Sequence, residues 1–467
     1  MSRIINELKA LAAVHEGLDV KTDAGTLADK SHDWWVRGAM ERRIGIDRSV
    51  SAVVRPSSTS EVSAVLSWAA ETNTPVVPFG LGSGVCGAVA AGEGQIVLDT
   101  TGMSRIVELN ETALTVTVQP GMRGADFEAE LNARGYTMGH FPQSIDLSTV
   151  GGWCATRAAG QFSTLYGNIE DMLLGCEVVL ADGEVVRVPP KTRSATGPDL
   201  KQLFLGSEGT LGVVTELVFR VHPLAEASRG SCYTVPTIEA GIEALRQILR
   251  AGWRPAVTRL HDAVEAGRNF NIHSEGEPVL LILSEGPEAL VDVQERAVKK
   301  ILAAHGGVDY GPEPMDSWLK HRNQVPELAA LLEKGLVVDT IEVAVGWDKL
   351  AALFKAVTEE GSAMENMVAM SGHVSHCYTQ GANIYFTFIV AETDGQKAIE
   401  VYDRVWDMTL SKTSELGGTI AHHHGIGRVR KEWLKKELGS AYRLLADLKR
   451  AFDPKGIMNP GALLDLD

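Results

Sequence analysis

Three adjacent histidines, His422, His423 and His424, stand in the stretch GGTIAHHHGIGRVRKEWLKKEL. Imidazoles grouped this way can ligate a metal ion, move protons near neutral pH, or be the remnant of an expression tag. Their internal position, with a helix-like segment following, excludes a tag. A strand-like conformation would send His422 and His424 to one face and His423 to the other. Three consecutive rings would then converge poorly on one ion. Acid–base and hydrogen-bonding chemistry is the expectation, and no metal site is expected. A second pair, His373 and His376 in GHVSHCYTQGANIYFTF, has HxxH spacing but no acidic neighbour in sequence. Hydrogen-bonded or cofactor-adjacent histidines are expected there rather than ligands.

A second kind of chemistry lies nearer the N-terminus. In PFGLGSGVCG, Gly80, Gly82, Gly84 and Gly87 follow directly on the apolar run PVV. Glycines let successive backbone N–H groups turn inward together and approach an anion closely, which suits a pyrophosphate. The Rossmann pattern is absent, because no acidic residue follows at the expected place after a second strand. Two companions, GHFPQSIDLSTVGGWCATRAAGQFSTLYGNIEDM (139–172) and GSEGTLGVVTE (206–216), are dense in Gly, Ser and Thr. Such segments supply backbone and hydroxyl hydrogen bonds to a polar, extended cofactor.

Elements must position these groups. The stretch VVRPSSTSEVSAVLSWAAETNTPVVPFGLGSG reads as strand, helix, strand and glycine loop, with Ser60 or a neighbour as N-cap. A helix at ADFEAELNARG, a hairpin at EVVLADGEVVRV and a strand at VVTELVFRVHP complete an α+β domain ending near Pro223. Beyond it, strands at AVTRLHD, EPVLLILSEG and ANIYFTFIV alternate with helices at IEALRQILRAG, ALVDVQERAVKKILAAHGG and WDKLAALFKAVTEEG. That repeated β–α–β order is the pattern of a ferredoxin-like sheet. A basic amphipathic helix or helix pair then runs to the rigid turn DPKGIMNPG. The division expected is residues 1–45 as an N-terminal helical segment, 46–224 as the first α+β domain, 225–415 as a second, and 416–467 returning to the first.

Composition narrows the partners. Of 467 residues, 44 are Lys or Arg and 60 are Asp or Glu, a net charge of −16. This disfavours nucleic acid and broad adsorption to anionic membranes. The five cysteines are scattered without a CxxC, which argues against zinc ribbons and iron–sulfur clusters and fits a reducing cytoplasm. The uncharged run from Thr72 to Gly92 holds prolines and glycines and reads as strand and loop, not as a membrane span.

The glycine loop, STVGG, GNIEDM, GSEGTLG and DPKGIMNPG, in this order, resemble the flavoproteins of the vanillyl-alcohol-oxidase type over about residues 46–465. The resemblance implies a two-subdomain FAD-binding domain of the PCMH type, a ferredoxin-like α+β cap and C-terminal helices. It implies non-covalent FAD. Pro78, Phe79, Gly80, Leu81, Gly82, Ser83 and Gly84 would hold the pyrophosphate. Gln143, Ser144, Asp146, Ser148, Thr149, Gly151 and Gly152 would line FAD, with Thr156, Arg157, Ala158 and Ala159, and with Glu208, Gly209, Thr210, Gly212, Val213 and Val214. His140 matches a histidine beside the flavin.

Two branches of that superfamily compete. Metal-dependent 2-hydroxy-acid dehydrogenases carry a second histidine where this chain has Tyr385, and a glutamate where it has His423. A metal-dependent reading is disfavoured accordingly. Alkylglycerone-phosphate synthases resemble this chain further, at STVGGW, YGNIED, TGPD, the tyrosine of IYF and HHHGIGRVRKEWL. That family exchanges the acyl chain of acyl-dihydroxyacetone phosphate for a fatty alcohol in ether-lipid synthesis, through a substrate–flavin adduct and without net redox change. The resemblance implies Tyr385 as acid/base, His422, His423 and His424 in proton transfer, and Arg259 of TRLHD in substrate binding. A second arginine of the family corresponds to Leu328, and Arg322 and Lys334 are the candidates to replace it. The expected partner is a small-molecule or lipid substrate; peripheral membrane contact and a homodimer are compatible with it. The alternative is an FAD-dependent oxidase or dehydrogenase of an alcohol or 2-hydroxy acid, and a catalytically silent flavin binder is disfavoured by the intact Tyr and His set.

Overall fold

A computed structural model describes residues 2–46, 48–270 and 276–465. Residues 1, 466 and 467, the ends of the expected terminal segments, lie outside that range. Two bodies share the chain. In the first, strands Asp19–Lys21, Ala52–Arg55, Ile96–Asp99 and Val76–Phe79 lie side by side in that order. The last three are parallel and the first is an antiparallel edge. Parallel neighbours need a crossover, and helix Thr59–Thr72 supplies one. Its N-cap is Ser58, two residues before Ser60, and the Ser58 hydroxyl accepts from the Glu61 N–H.

An antiparallel five-stranded sheet follows, ordered Ile106–Asn110, Thr115–Val118, Val213–Arg220, Leu173–Val179, Val185–Val188. The hairpin read from the sequence is its last pair. The N-terminal segment is more than helical. Strand Asp19–Lys21 joins the first sheet, and helix Val36–Arg43 packs on the second body through the Arg37–Asp403 ion pair.

The second body is one antiparallel sheet of seven strands. Their order is Val308–Gly311, Ala227–Thr234, Val279–Gly286, Val257–His261, Met367–Val374, Gly381–Ala391, Leu336–Gly346. Side chains alternate across a pleated sheet. Leu260, Val374, Ile384, Phe386 and Val343 therefore face one way, into a core shared with Leu245, Ile248, Leu353 and Val357 of helices Ile238–Arg250 and Trp347–Ser362. Their sequence neighbours face the opposite way, toward the first body. Helix Gly395–Glu415, which the sequence reading did not find, adds Tyr402, Val405 and Trp406 to the same core.

The C-terminal stretch is a helix pair, Lys431–Leu438 and Tyr442–Phe452. It closes back on the first body: the Val76 N–H donates to Ile457 and the Asn459 N–H to Val76. Buried Lys449 donates to the Thr210 and Met458 carbonyls at 2.8 and 2.7 Å and pairs with Asp453. All five cysteines are buried and unpaired. Among the described residues, no helix is long and apolar enough to cross a membrane.

Candidate active site

A long cavity runs between the two bodies, about 1750 Å³ with its open mouth. One half is lined by backbone-rich loops: residues 78–84, Gln143, Ser144, Ser148, Thr149, Gly151, Gly152, Thr156, Ala158, Ala159, Glu208, Gly209 and 212–214. The other half is lined by cap side chains, Arg259, His373, Ser375, His376, Tyr385, His423 and His424.

Glycine matters in the loop half for a steric reason. A Cβ on Gly80 would meet Thr149 Oγ1 at 2.4 Å, and Gly82 holds a left-handed φ of +72°. Among the described residues, the N–H groups of Leu81, Gly82, Ser83 and Gly84 are not taken up by protein acceptors. Asp33, absent from the sequence reading, shapes this loop: its carboxylate accepts from the Trp35 and Val89 N–H groups, both at 3.2 Å. Nearby, buried His140 packs against cavity-lining Trp153 at 4.7 Å, and neither of its ring nitrogens has a partner. Burial pushes the His140 imidazole down to about 3. Open N–H donors and an apolar slot fit FAD.

Four residues expected at the cofactor lie outside the lining. Arg157 is exposed and pairs with Glu170 at 3.2 Å. Asp146 is exposed to solvent. Thr210 is wholly buried, its hydroxyl donating to the Ser207 carbonyl at 2.7 Å. His140 sits one layer behind Trp153. Glu208 lines the cavity, but its carboxylate turns away to accept from the Ile426 and Gly427 N–H groups at 2.5 and 2.9 Å. It ties the GSEGTLG loop to the histidine loop. Residue identity alone could not separate these fixtures from residues that face the cavity.

The cap half is organised by strand register. His261 pairs with His373, His373 with Tyr385, and Tyr385 with Glu342, forming one row across four strands. The His373 ring stacks on Tyr385 at 4.9 Å and 21°. Thr340 Oγ1 donates to the Tyr385 hydroxyl at 2.9 Å, leaving the phenol proton free. Burial raises the Tyr385 phenol above its ordinary value, so it stands protonated. Glu342 ends the row with no exposed surface. Its carboxylate accepts from the His423 and His424 N–H groups at 3.1 and 2.6 Å and pairs with fully buried Arg430 at 2.5 Å. Glu342 anchors the histidine loop, and the sequence reading did not single it out.

The histidine loop is not a strand, so the expected alternation of faces fails. Tight turning places the His422 and His423 Nδ1 atoms 2.8 Å apart. His423 stacks beside Tyr385 at 5.9 Å, and His424 meets it edge-on at 5.5 Å. His422 stands behind the cavity surface, its Nε2 on the Tyr378 hydroxyl at 2.7 Å, and Asn168 of GNIEDM also donates to that hydroxyl. With His376, the rings of His422 and His423 offer nitrogens within 4.8 Å of one another, a spacing that could hold a cation. Of the three consecutive histidines, His422 and His423 belong to that group and His424 does not. Burial lowers all four imidazoles, His422 to about 4 and His424 to about 3, and keeps them neutral as bases or hydrogen-bonding groups.

Arg259 makes no surface ion pair. Its Nε donates to His261 Nε2 at 3.1 Å and its Nη2 to His373 Nε2 at 2.7 Å. Trp318 lies under its guanidinium at 5.5 Å and under that of Arg322 at 6.0 Å. Arg322 donates to Gln161, a cavity residue, at 2.7 Å and stacks on Phe141 and Phe162. Among the described residues neither guanidinium has a carboxylate within ion-pair distance. Of the two candidates to replace the arginine at Leu328, Arg322 lies outside the cavity lining and reaches it through Gln161, and Lys334 is exposed in the turn of 328–334.

Comparison with known proteins defines the class first. Residues 50–189 match the FAD binding domain and residues 225–463 match the FAD linked oxidases, C-terminal domain. The chain belongs to the FAD-linked oxidase family and is an FAD-linked enzyme. Particular relatives follow. An uncharacterized FAD-linked oxidoreductase of Escherichia coli K12, YgcU, is 34% identical over 434 residues, 89% of this chain and 89% of that protein. The alkyldihydroxyacetonephosphate synthase of Caenorhabditis elegans is 30% identical, covering 94% of this chain and 80% of that protein. A solved alkyldihydroxyacetonephosphate synthase superposes with a TM-score of 0.82 at 26% identity, covering 98% of this chain and 85% of that one.

Proposed function

We propose that this protein exchanges the acyl chain of acyl-dihydroxyacetone phosphate for a fatty alcohol, as a step in ether-lipid synthesis. The observation that carries the reading is Tyr385, protonated at the cavity wall, between His373 and the His423–His424 pair. FAD, when bound, would supply reversible electron acceptance, and Arg259 would lend positive charge to the cavity it lines. Tyr385 donates a proton to the departing acyl oxygen and recovers one from the hydroxyl of the incoming alcohol. A neutral imidazole of the His423–His424 pair takes the proton from the carbon beside the ketone and returns it after the alcohol has added. Arg259 and Arg322, lacking carboxylate partners, offer planar donor forks to the phosphate. The absence of net redox change means that no electron acceptor is required.

A second reading, oxidation of an alcohol or 2-hydroxy acid, is favoured by one observation. The glycolate oxidase subunit GlcD of Bacillus subtilis is 28% identical, covering 89% of this chain and 89% of that protein. The test uses purified holoenzyme, acyl-dihydroxyacetone phosphate and radiolabelled hexadecanol in the absence of any acceptor. Label in ether product supports the exchange. Bleaching of the flavin by a 2-hydroxy acid, with recovery on adding an acceptor dye, overturns it. Residence in the cytoplasm and a lipid-facing homodimer belong to the same proposal.

A further inference from the structure

Behind Arg259 lies a buried group that the proposed chemistry does not use. Glu265, on helix Ala263–Asn269 and 3% exposed, accepts from three side chains. Its Oε2 lies 2.9 Å from His261 Nδ1 and 2.8 Å from His373 Nδ1, and its Oε1 accepts from Thr387 Oγ1 at 3.1 Å. The Asp262 carboxylate caps this helix and accepts from the Gly372 N–H at 2.7 Å, which pins Glu265 over the His373 strand.

Donor and acceptor counting fixes the protons. An ionised carboxylate only accepts, so each Nδ1 facing it carries its hydrogen. A guanidinium only donates, so each Nε2 facing Arg259 offers a lone pair. Both conditions are met by one arrangement: Glu265 ionised, His261 and His373 neutral with the proton on Nδ1, and Arg259 charged. By spacing alone His261, Glu265 and His373 could also hold a cation. Ligation through Nδ1 would move each ring proton to Nε2, against an Arg259 N–H, and that donor–donor clash excludes it.

We propose that Glu265 is a positioning residue that acts through His261 and His373 to lock Arg259, so that the remaining guanidinium donors point at the anionic group of the substrate. The inference rests on the reading of Arg259 as the anion-binding group. Two of its N–H groups are committed to the imidazoles, and the rest of the fork is left for a ligand at the cavity that Arg259 lines. A flexible arginine would lose side-chain entropy on meeting the anion; here that loss is met on folding. Because the His373 ring also stacks on Tyr385, the same lock sets the distance between the anion site and the acid.

The test is a titration of the FAD-loaded protein with dihydroxyacetone phosphate, read as a change in the flavin visible spectrum. The variants are Arg259→Ala, Glu265→Leu and the double variant. A leucine offers no acceptor to either Nδ1, so the rings are free to shift a proton to Nε2 and set an N–H against Arg259. The expected result is dissociation constants raised about tenfold or more by Glu265→Leu, with FAD content unchanged. In an Arg259→Ala background the same change should have no further effect, a non-additivity that a merely structural role would not give. An unchanged Glu265→Leu titration, or full additivity, overturns the relay and leaves the anion site standing. A wild-type response that does not depend on Arg259 overturns the anion reading and the relay together. If Glu265→Leu fails to fold, ¹⁵N-histidine spectra of the wild type decide. Two rings protonated on Nδ1 from pH 6 to 9 support the relay, and Nε2-protonated rings overturn it.

Discussion

The two halves of the cavity are built on different principles. The loop half presents main-chain N–H groups, and its side chains are chosen for being small. The cap half presents side chains, aligned by strand register and held by buried carboxylates. A backbone cradle tolerates many neighbours but few substitutions at its glycines. A side-chain row tolerates changes outside it but depends on Glu342 and Glu265, neither of which faces the cavity. The first half sets what cofactor is held, the second what is done beside it. Changes in one should leave the other measurable.

The largest effect is expected from Glu342→Ala. Arg430 would be left charged and buried without its partner, and the His423 and His424 N–H groups would lose their acceptor. Breaking a buried pair on one side costs about 3–5 kcal/mol, so urea denaturation should show the loss directly. Tyr385→Phe should lower turnover by roughly 10²–10⁴-fold, while flavin content, measured by absorbance, stays at the wild-type level. Equal loss of flavin would show that the halves are not separable. Gly80→Ala makes the converse break. Its Cβ would fall 2.4 Å from Thr149 Oγ1, and a weakened FAD affinity is expected while the cap and its stability are kept.

The imidazoles set a pH dependence. His422 is lowered to about 4 and His424 to about 3, each from an ordinary 6.5, with burial the leading cause. The unfolded chain therefore binds more protons than the folded one between these values. Stability is fully present above pH 6.5 and falls as pH drops toward 4. Urea midpoints across that range would check it, and His422→Asn should flatten the slope. The smallest effect is expected from Arg157→Ala. Its partner Glu170 is an exposed pairing at 3.2 Å, worth about 0–1 kcal/mol, and flavin content should not change.

Much of the loop half was legible in the sequence because glycine has few reasons to recur at short spacing. Gly80, Gly82 and Gly84 after an apolar strand announce a backbone that must turn inward. Helices and the hairpin were legible from periodicity, as was the helix pair at the C-terminus. Helix Gly395–Glu415 was missed because its buried residues include Thr409 and Thr413, which blur the apolar stripe. Arg157, Asp146 and Thr210 sit among cavity-facing residues in sequence but point elsewhere, and a local pattern carries no direction for a loop side chain.

By itself, the sequence determined the chemical inventory: a glycine cradle, a surplus of histidines, a strand tyrosine and an arginine beside it. Only the tertiary structure decided how these combine. Strand pairing brought His261, His373, Tyr385 and Glu342 into one row, though they are spread over more than a hundred positions. HxxH looked free of acidic neighbours until Glu265 folded over it, and Arg322 gained a role only by sharing Trp318 with Arg259. The physical reason is the same in each case. Register and burial are set by long-range packing, and they decide which proton, lone pair or charge a side chain can offer.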